Sequence, residues 1–363
     1  MNVLLVAGAR PNFMKIAPLY RASLRHPGVR CKVVHTGQHY DYEMSDAFFA
    51  ELGIPEPDYC LDAGSGSHAV QTAKIMVAFE EVCEKENPDL VMVVGDVNST
   101  LACSVVAKKR WSKVAHVEAG LRSFDLAMPE EINRMVTDAI SDYFFVTEES
   151  GLSNLLREGK PRERVHMVGH VMIDNLLYQL KKLETDGVEQ FSVFRLKQQN
   201  PKYAFLTLHR PSNVDRKETF QEIADALNGI AGRIPVFFPI HPRTRKMAEQ
   251  FGIKFPGAIA LLPPLDFQQA LYLWKDAEVV LTDSGGLQEE TTALGVPCVT
   301  LRDNTERPIT TEIGTNVVAG TKKESIINAY EASIAKTKAA RVPPLWDGKA
   351  SERIWGILTE AFL

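Results

Sequence analysis

Residues 89–100 read Asp-Leu-Val-Met-Val-Val-Gly-Asp-Val-Asn-Ser-Thr, an apolar run that stops at Gly95 and Asp96 and continues as a helical pattern. An unbroken apolar run of this length is typical of a parallel strand that is covered on both faces. The same succession of strand, turn and helix recurs along the whole chain, and such alternation implies right-handed crossovers. The sequence therefore predicts an α/β fold with doubly wound parallel sheets.

The predicted elements fall into two halves that share an order of elements but no sequence repeat. In the first half, strands are expected near 2–8, 32–37, 89–96, 113–119, 143–147 and 165–169, and helices near 12–25, 42–52, 68–86, 98–109, 129–142 and 149–158. In the second half, strands are expected near 203–209, 235–240, 258–262, 278–283, 297–301 and 315–319, and helices near 217–230, 242–251, 266–277, 286–294 and 323–340. Polar and turn-rich stretches predict a hinge between residues 170 and 200, and 350–363 is an amphipathic tail.

Length and composition bound the class of protein. A chain of 363 residues corresponds to about two domains, and 45% hydrophobic with 24% charged residues is the balance of a globular protein. The net charge of −5 argues against nucleic acid and anionic membranes as partners. No apolar run approaches a bilayer span, no signal peptide is visible, and five widely spaced cysteines suit a reducing cytoplasm.

Cations and glycines after predicted strands indicate anion sites. Arg10 and Lys15 follow the first strand, where a helix N-terminus adds its unpaired N–H groups to their charge. Later, Ser284, Gly285 and Gly286 join a strand to a helix, and glycines let backbone N–H groups approach a phosphate. Surface solubility and an ordinary strand-to-helix turn are the plainer alternatives for the two sites.

Carboxylates gather after the strands of the first half. Asp96 is either a helix cap or an acid/base group, and Glu118 ends an apolar strand, where an unused carboxylate would be costly. Glu130 and Arg134 are four residues apart and share a helix face, so a structural ion pair is one interpretation. Several acidic groups at one rim also favour acid/base catalysis.

The second half supplies further candidates after its strands. His209 and His241 each follow a strand, as a proton shuttle or phosphate ligand would. Glu290 lies one to two turns into the helix after Gly286, where it could accept from ribose hydroxyls, and Arg307 lies in a loop after a strand.

Two other kinds of site are disfavoured by the pattern. Residues 64–69 read Gly-Ser-Gly-Ser-His-Ala, which matches a relaxed dinucleotide fingerprint, but they follow only a weak strand and not the first one. The nine histidines show no spacing typical of metal ligands. We therefore expect neither a nicotinamide cofactor nor a metal.

Eight motifs, taken in order, resemble the non-hydrolysing UDP-N-acetylglucosamine 2-epimerase family. Each is weak alone, but together they span nearly the whole chain and are highly specific: Gly8-Ala-Arg-Pro with Lys15, Thr36-Gly-Gln-His39, Gly95-Asp96, His116-Val-Glu-Ala-Gly-Leu-Arg122, Pro129-Glu-Glu-Ile-Asn-Arg134, Leu208-His-Arg210, Asp283-Ser-Gly-Gly-Leu-Gln-Glu-Glu290 and Thr305-Glu-Arg-Pro308.

The resemblance implies a GT-B-like architecture of two Rossmann-like domains facing a cleft. It places an N-terminal domain at 1–170, a UDP-binding domain at 171–348 and a final helix at about 349–363 that packs back on the first domain. It implies a cytoplasmic enzyme, a homodimer through the first domain, which interconverts UDP-GlcNAc and UDP-ManNAc without a cofactor. The reaction eliminates UDP in the anti sense to give 2-acetamidoglucal and then adds it back.

The resemblance also implies roles for the candidate residues. Asp96, Glu118, Glu130 and His209 match the catalytic residues. The remaining positions match contacts to UDP or to the sugar: Arg10, Lys15, Arg134, His241, Ser284, Gly285, Gly286, Glu290 and Arg307.

Departures from the family pattern leave alternatives open. His209 is followed by Arg-Pro-Ser-Asn, and the Gln38-His39 region and residues 64–68 differ from members that UDP-GlcNAc activates at a second site. The alternatives are a 2-epimerase of a modified UDP-sugar such as UDP-2,3-diacetamido-glucuronate, a GT-B glycosyltransferase, a hydrolysing 2-epimerase and a nucleotide-sugar sensor without turnover.

Overall fold

The structure, a computed structural model, describes residues 1–37, 46–335 and 341–362. Gln38 and His39 of the second motif lie outside the described residues, as do parts of the predicted helices 42–52 and 323–340. The chain divides into two compact units, the first formed by Met1–Leu177 with Pro344–Leu363 and the second by Tyr178–Pro343.

The first unit is built on a seven-stranded parallel sheet with strand order β3-β2-β1-β4-β5-β6-β7. Its strands are β1 (Asn2–Ala7), β2 (Arg30–His35), β3 (Tyr59–Cys60), β4 (Leu90–Val94), β5 (Lys113–Val117), β6 (Tyr143–Val146) and β7 (Val165–Met167). Its helices are α1 (Arg10–Ser23), α2 (Asp46–Leu52), α3 (His68–Glu86), α4 (Asn98–Lys109), α5 (Pro129–Ile140), α6 (Glu149–Arg157) and a short 3₁₀ helix (Arg162–Arg164). Helix α7 (Val171–Asp186) follows, and the division between the units falls within it.

Both faces of this sheet are covered, as the apolar runs predict. Val3 and Leu5 of β1 pack into one buried cluster with α1, whereas Leu4 and Val6 pack into another with α3 and α4. Because successive side chains of a strand point to opposite faces, a strand with two buried faces must be apolar at every position.

The second unit repeats the arrangement with a six-stranded sheet in the order β10-β9-β8-β11-β12-β13. Its strands are β8 (Ala204–Thr207), β9 (Val236–Pro239), β10 (Ile259–Leu262), β11 (Val279–Thr282), β12 (Cys298–Thr300) and β13 (Asn316–Val318). Its helices are α8 (Phe194–Gln199), α9 (Pro211–Val214), α10 (Lys217–Ala231), α11 (Pro242–Phe251), α12 (Phe267–Trp274), α13 (Gly285–Leu294), α14 (Pro308–Glu312) and α15 (Lys323–Ala335).

The predicted fold class is confirmed. The region 170–200, where a hinge was predicted, contains helix α7 as far as Asp186, and Leu183 in its polar part is buried. Tyr59–Cys60 does form a strand ahead of residues 64–69, but it lies at the edge of the sheet rather than at the first position.

The last helix, α16 (Ala350–Phe362), belongs to the first unit. The indole Nε1 of Trp355 donates to the carbonyl of Leu19 in α1 over 2.8 Å, and Trp355 is fully buried. The carboxylate of Asp174 accepts from the backbone N–H groups of Ala350 at 3.0 Å and Ser351 at 2.7 Å, which satisfies the start of the helix.

Each sheet has one point where the strand order reverses. In the first unit it lies between β1 and β4, and in the second between β8 and β11. Open α/β sheets bind ligands beyond the carboxyl ends of their strands at such points. The turns after these four strands carry Arg10, Asp96, His209 and Ser284.

Candidate active site

The first turn of α1 presents two cations in different surroundings. Arg10 is exposed at the first position of the helix, with its guanidinium 5.0 Å from the centre of the Phe48 ring. Lys15 is mostly buried, and its ammonium contacts the carboxylate of Glu118. Asn12 ties the turn together, since its Oδ1 accepts from the N–H of Ala9 at 2.9 Å. Lys15 therefore has a carboxylate partner. The sequence had indicated a phosphate as the partner of Lys15 and gave no sign of Glu118.

Glu118 is buried and has an unusual backbone conformation. It is 4% exposed, directly after β5, and its φ of 72° lies in the left-handed region. That conformation is costly for a residue with a Cβ and is found mostly where a site requires it. Its N–H donates to the carbonyl of Phe145 at 3.0 Å, so neighbouring β6 fixes the turn.

Asp96, after β4, is joined to α5 by an arginine. Nη1 of Arg134 lies 2.5 Å from Oδ2 of Asp96, and its Nη2 lies 2.6 Å from Oε2 of Glu131. The interpretation of Glu130 and Arg134 as a structural ion pair is thus wrong, because Glu131, three residues from Arg134, takes that place. Glu131 also accepts from the N–H groups of Ser123 at 2.9 Å and Phe124 at 3.0 Å. Burial raises its pKa, but these bonds and Arg134 outweigh it and lower the pKa overall.

Glu130 lies in the first turn of α5 and is exposed. Within the part of the chain that the structure describes, its side chain makes no hydrogen bond or ion pair. A carboxylate at a helix N-terminus is favoured by the helix dipole and needs no further partner to be stable there.

Buried amides that sequence reasoning missed support the Asp96 turn. Nδ2 of Asn133 donates to the carbonyl of Asp96 at 2.8 Å, and Nδ2 of Asn98 donates to Gln71 at 2.8 Å. His68, in the stretch that resembled a dinucleotide fingerprint, lies 3.2 Å from Nδ2 of Asn98 through its ring Nδ1. The Pro129–Arg134 motif contained Asn133, but nothing in the sequence distinguished a buried amide from a surface one.

In the second unit, an unpredicted aspartate organises the turn after β8. Asp283 is fully buried, and its Oδ2 accepts from the N–H groups of His209 at 2.9 Å and Arg210 at 2.8 Å. Its Oδ1 lies 3.0 Å from Nδ1 of His209, whose ring is partly exposed. Burial raises the pKa of Asp283, but the His209 contacts and backbone N–H groups lower it overall. The sequence feature that could have identified Asp283 is its position, because it is an aspartate at the end of an apolar strand.

His241 lies beside this pair. The centres of the His209 and His241 rings are 6.1 Å apart, and Nδ1 of His241 accepts from the N–H of Arg243 at 3.2 Å as the cap of α11. Burial lowers the pKa of His241, and the charges of His209 and Arg243 act in the same direction. The structure therefore brings His209 and His241 together beyond the carboxyl ends of β8 and β9.

The start of α13 offers open space above its glycines. Ser284 occupies the N-cap position without a capping bond from its side chain, and its N–H donates to Oγ1 of Thr282 at 2.9 Å. A Cβ on Gly286 would meet no atom within 4 Å, and one on Gly285 would meet only Oε2 of Glu306, at 3.9 Å. The packing of the unit does not require these glycines, whereas close approach of a phosphate to the N–H groups would.

Two neighbouring acidic residues of α13 have different surroundings. Oε1 of Glu289 lies 2.7 Å from Nε of Arg307, which holds the loop before α14. Burial, together with the neighbouring Glu289, raises the pKa of Glu290 to about 8. Nearby, hydrogen bonds from Arg302 lower the pKa of Glu306 to about 2. Glu290 is thus largely a neutral carboxylic acid at neutral pH, able to donate as well as accept.

In the described residues, no three His, Cys, Asp or Glu side chains are grouped so that they could hold a metal ion. Likewise, no helix of the described chain is long and apolar enough to cross a membrane.

Comparisons with known proteins match the chain from end to end. The model of the UDP-N-acetylglucosamine 2-epimerase family covers residues 21–359. The UDP-N-acetylglucosamine 2-epimerase of Methanocaldococcus jannaschii is 43% identical over 99% of both chains. The UDP-2,3-diacetamido-2,3-dideoxy-D-glucuronate 2-epimerase of Pseudomonas aeruginosa is 39% identical over 98% of both chains.

Two solved structures that resemble this chain are also UDP-GlcNAc 2-epimerases. The M. jannaschii UDP-GlcNAc 2-epimerase in complex with UDP-GlcNAc and UDP has a TM-score of 0.87 at 43% identity, covering 99% of this chain and 100% of that one. The Neisseria meningitidis enzyme bound to UDP-GlcNAc also has a TM-score of 0.87, at 31% identity and with 99% and 100% covered. This chain is accordingly an isomerase of nucleotide-sugar chemistry with the GT-B fold. It belongs to the UDP-N-acetylglucosamine 2-epimerase family, which confirms the resemblance carried by the eight motifs.

Proposed function

We propose that this enzyme interconverts UDP-GlcNAc and UDP-ManNAc, and so supplies precursors of surface polysaccharides. The observation that carries the proposal is the end-to-end likeness, at 43% identity, to an epimerase solved with UDP-GlcNAc and UDP. The turns at the carboxyl ends of the strands support it: in the first unit they carry Asp96 and Glu118, and in the second they carry His209, His241 and the start of α13.

The proposed reaction is an anti elimination followed by re-addition. A carboxylate removes the C2 proton while the C1–O bond breaks, so that UDP leaves with the bonding electrons and a C1=C2 double bond forms. Addition of UDP to 2-acetamidoglucal, with a proton delivered to the other face of C2, gives the epimer. Two proton-transfer groups are needed on opposite faces, and Asp96, Glu118 and Glu130 are the proposed set.

The remaining residues are proposed to stabilise the departing pyrophosphate. His209, whose ring Nδ1 lies 3.0 Å from Oδ1 of Asp283, is proposed to contact a phosphate oxygen of the departing group. Arg10, Lys15, His241 and Arg307 add positive charge or hydrogen bonds. Gly285 and Gly286 add backbone N–H groups and Ser284 adds its hydroxyl, because the N–H of Ser284 already donates to Thr282. Arg134 serves the sugar and Glu290 the ribose.

Proton NMR of the enzyme with UDP-GlcNAc in deuterium oxide, with no cofactor added, tests the proposal. We expect UDP-ManNAc and UDP-GlcNAc that both carry deuterium at C2, because the proton returns from groups in exchange with solvent. Free ManNAc with UDP would instead indicate a hydrolysing enzyme. Loss of UDP-GlcNAc only when an acceptor sugar is added would indicate a glycosyltransferase.

A modified UDP-sugar is the second candidate. It is favoured by the 39% identity to the UDP-2,3-diacetamido-2,3-dideoxy-D-glucuronate 2-epimerase of P. aeruginosa. The two candidates are distinguished by the ratio of kcat/KM for that sugar nucleotide to kcat/KM for UDP-GlcNAc. We expect this ratio to be about 0.1 or lower. A ratio above one would assign the modified sugar.

A homodimer through the first unit is also proposed. The outer face of α5 exposes Ile132, Met135 and Val136, at helical spacing on one stripe. Exposed apolar stripes of this kind are typical of interfaces. Light scattering after gel filtration should give a dimer mass for the wild type and a monomer mass for Met135→Glu. Ile334→Glu, in the second unit at similar exposure, should remain dimeric.

A further inference from the structure

A buried charged cluster lies beneath the turns that carry Asp96 and Glu118. Nδ1 of His116, in β5, lies 2.7 Å from Oδ1 of Asp138, in α5, and both side chains are fully inaccessible to solvent. Oδ2 of Asp138 contacts Nη1 of Arg122 at 2.8 Å, and Arg122 in turn makes a bidentate pair with Glu158 at 2.8 Å. We call His116, Asp138 and Arg122 the β5–α5 cluster.

The carboxylate of Asp138 is the acceptor at the centre of this cluster. Burial raises the pKa of Asp138, but His116 and Arg122 outweigh it and lower the pKa overall, so the carboxylate is ionised and can only accept. The other ring nitrogen of His116, Nε2, lies 2.8 Å from the carbonyl of Gly95, which is also an acceptor only. The imidazole therefore bridges the carboxylate of Asp138 to the backbone of the Gly95 turn.

The same carboxylate holds a second turn. Oδ2 of Asp138 accepts from the N–H of Gly120 at 3.1 Å. Gly120 closes the turn that begins at Glu118, where the backbone is in the left-handed region at both residues. The N–H of Gly95 also donates to the carbonyl of Val117 at 3.1 Å, so the Gly95 turn is held at both its donor and its acceptor.

We propose that Asp138 and His116 are positioning residues for the reaction. Asp138 holds the Glu118–Gly120 turn directly and the Gly95–Asp96 turn through His116, and so fixes the spacing of the two carboxylates against one rigid helix. The inference rests on the proposed function, because it assigns to Asp96 and Glu118 the proton transfers of the epimerisation. Neither Asp138 nor His116 touches substrate in this proposal.

The chemistry explains why a charged cluster is used where apolar side chains could pack. Apolar contacts have no preferred direction, whereas a hydrogen bond fixes both the distance and the direction between its partners. A misplacement of about 1 Å in a proton-transfer group can cost roughly a hundredfold in rate.

Asp138→Asn is the main test, because it keeps the shape and removes the charge. An amide presents an N–H₂ group to a site that faces three donors, so at least one of the contacts to His116, Gly120 and Arg122 is lost. We expect kcat to fall by 10- to 100-fold while KM and the Kd for UDP stay within about twofold. His116→Gln keeps one donor toward Gly95 and should lose less.

Asp142→Asn is the matched control. Asp142 is also a buried carboxylate, and it accepts from the N–H of Val114 at 2.9 Å and from Lys108 at 2.7 Å, at the opposite end of β5. Its loss should lower Tm by a similar amount and leave kcat per folded enzyme unchanged. If Asp138→Asn keeps a wild-type kcat, or if both variants lose activity only in proportion to folded enzyme, the positioning proposal is wrong.

Backbone hydrogen exchange separates this proposal from the proposed function. In Asp138→Asn the amides of residues 94–98 and 118–122 should exchange faster than in the wild type, and in Asp142→Asn they should not. A wild type that leaves every UDP-sugar unchanged would contradict the proposed function, and the exchange pattern would still decide whether Asp138 holds the two turns. Unchanged exchange in Asp138→Asn would overturn the positioning role.

Discussion

At the scale of single residues, Glu118 combines burial, charge and backbone strain. Its carboxylate faces Lys15, and its φ of 72° is one that most side chains avoid. The residue type was readable from sequence as a carboxylate on an apolar strand. Its conformation was not, since it depends on the N–H groups of residues 118 and 119 both reaching the carbonyl of Phe145.

We predict that Glu118→Gln lowers kcat by 10²–10⁴ while the Kd for UDP stays within a fewfold. The amide keeps the shape and backbone conformation but cannot take a proton. Steady-state kinetics and calorimetric titration with UDP give the two numbers. Glu149→Gln, exposed at the start of α6, is the control and should behave as wild type. Turnover by Glu118→Gln above a tenth of the wild-type rate would exclude Glu118 as a proton-transfer group.

Glu290 and Glu306 predict opposite pH dependences of stability. The pKa of Glu290 rises from 4.5 to about 8 on folding, so between these values the folded state holds more protons than the unfolded state. Its contribution to the free energy of unfolding is therefore lost as pH rises, by up to about 1.4 kcal/mol per pH unit. Glu290→Gln should be more stable than wild type at pH 8, and the difference should shrink toward pH 5 in urea unfolding.

Glu306→Gln is the sign-reversed control for that experiment. The pKa of Glu306 falls from 4.5 to about 2, so its contribution is present above pH 4.5 and is lost as pH falls toward 2. Its replacement should destabilise the protein at pH 7 and less so in acid. Parallel pH profiles for the two variants would contradict the assigned directions.

At the scale of elements, the turns after strands were the most predictable part of the site. Strand ends and helix starts follow from local signals, as at Gly285 and Pro129. What the turns contact was less predictable: Arg134 pairs with Asp96 and Glu131 rather than with Glu130. Residues three and four apart lie on the same helix face, so spacing alone could not choose between Glu130 and Glu131.

Gly286→Ala separates the folding role of the α13 start from its binding role. An added Cβ meets nothing within 4 Å, and alanine favours the helix by about 0.5–1 kcal/mol. We therefore expect slightly higher stability together with a UDP affinity at least tenfold weaker, because the methyl group occupies the phosphate's approach. Gly356→Ala in α16, also open within 4 Å, should give the stability gain alone. Unchanged UDP affinity in Gly286→Ala would show that the phosphate does not bind at the start of α13.

At the scale of the whole molecule, each unit has a core of its own. One buried cluster joins β1 and α1 to Ile354 and Trp355 of α16, and a separate one fills the second unit. The chain's last helix thus completes the core of the unit in which the chain begins. The pattern of residues 350–363 indicated an amphipathic helix, but the residues themselves did not show which unit its apolar face would pack against.

Trp355→Ala should destabilise the first unit by about 3–5 kcal/mol, because it removes a fully buried side chain and leaves a cavity. We expect calorimetry to show an early transition for the first unit and a later one, near the wild-type Tm, for the second. Trp111→Ala is the control, since Trp111 is 94% exposed and its loss should leave Tm unchanged. A single transition shifted as a whole would mean that the units unfold together.

The sequence by itself determined the fold class, the order of most elements and the family, because these depend on local signals: apolar runs, turn residues and motifs contiguous in the chain. Only the tertiary structure decided which groups share a site. His116, Asp138 and Gly95 are far apart in sequence and meet because β4, β5 and α5 pack side by side. Asp283, which follows β11, likewise gains its partners from the turn after β8, because β8 and β11 are neighbours in the sheet. Charge state followed packing too, since burial beside Glu289 raises the pKa of Glu290, which no residue pattern shows.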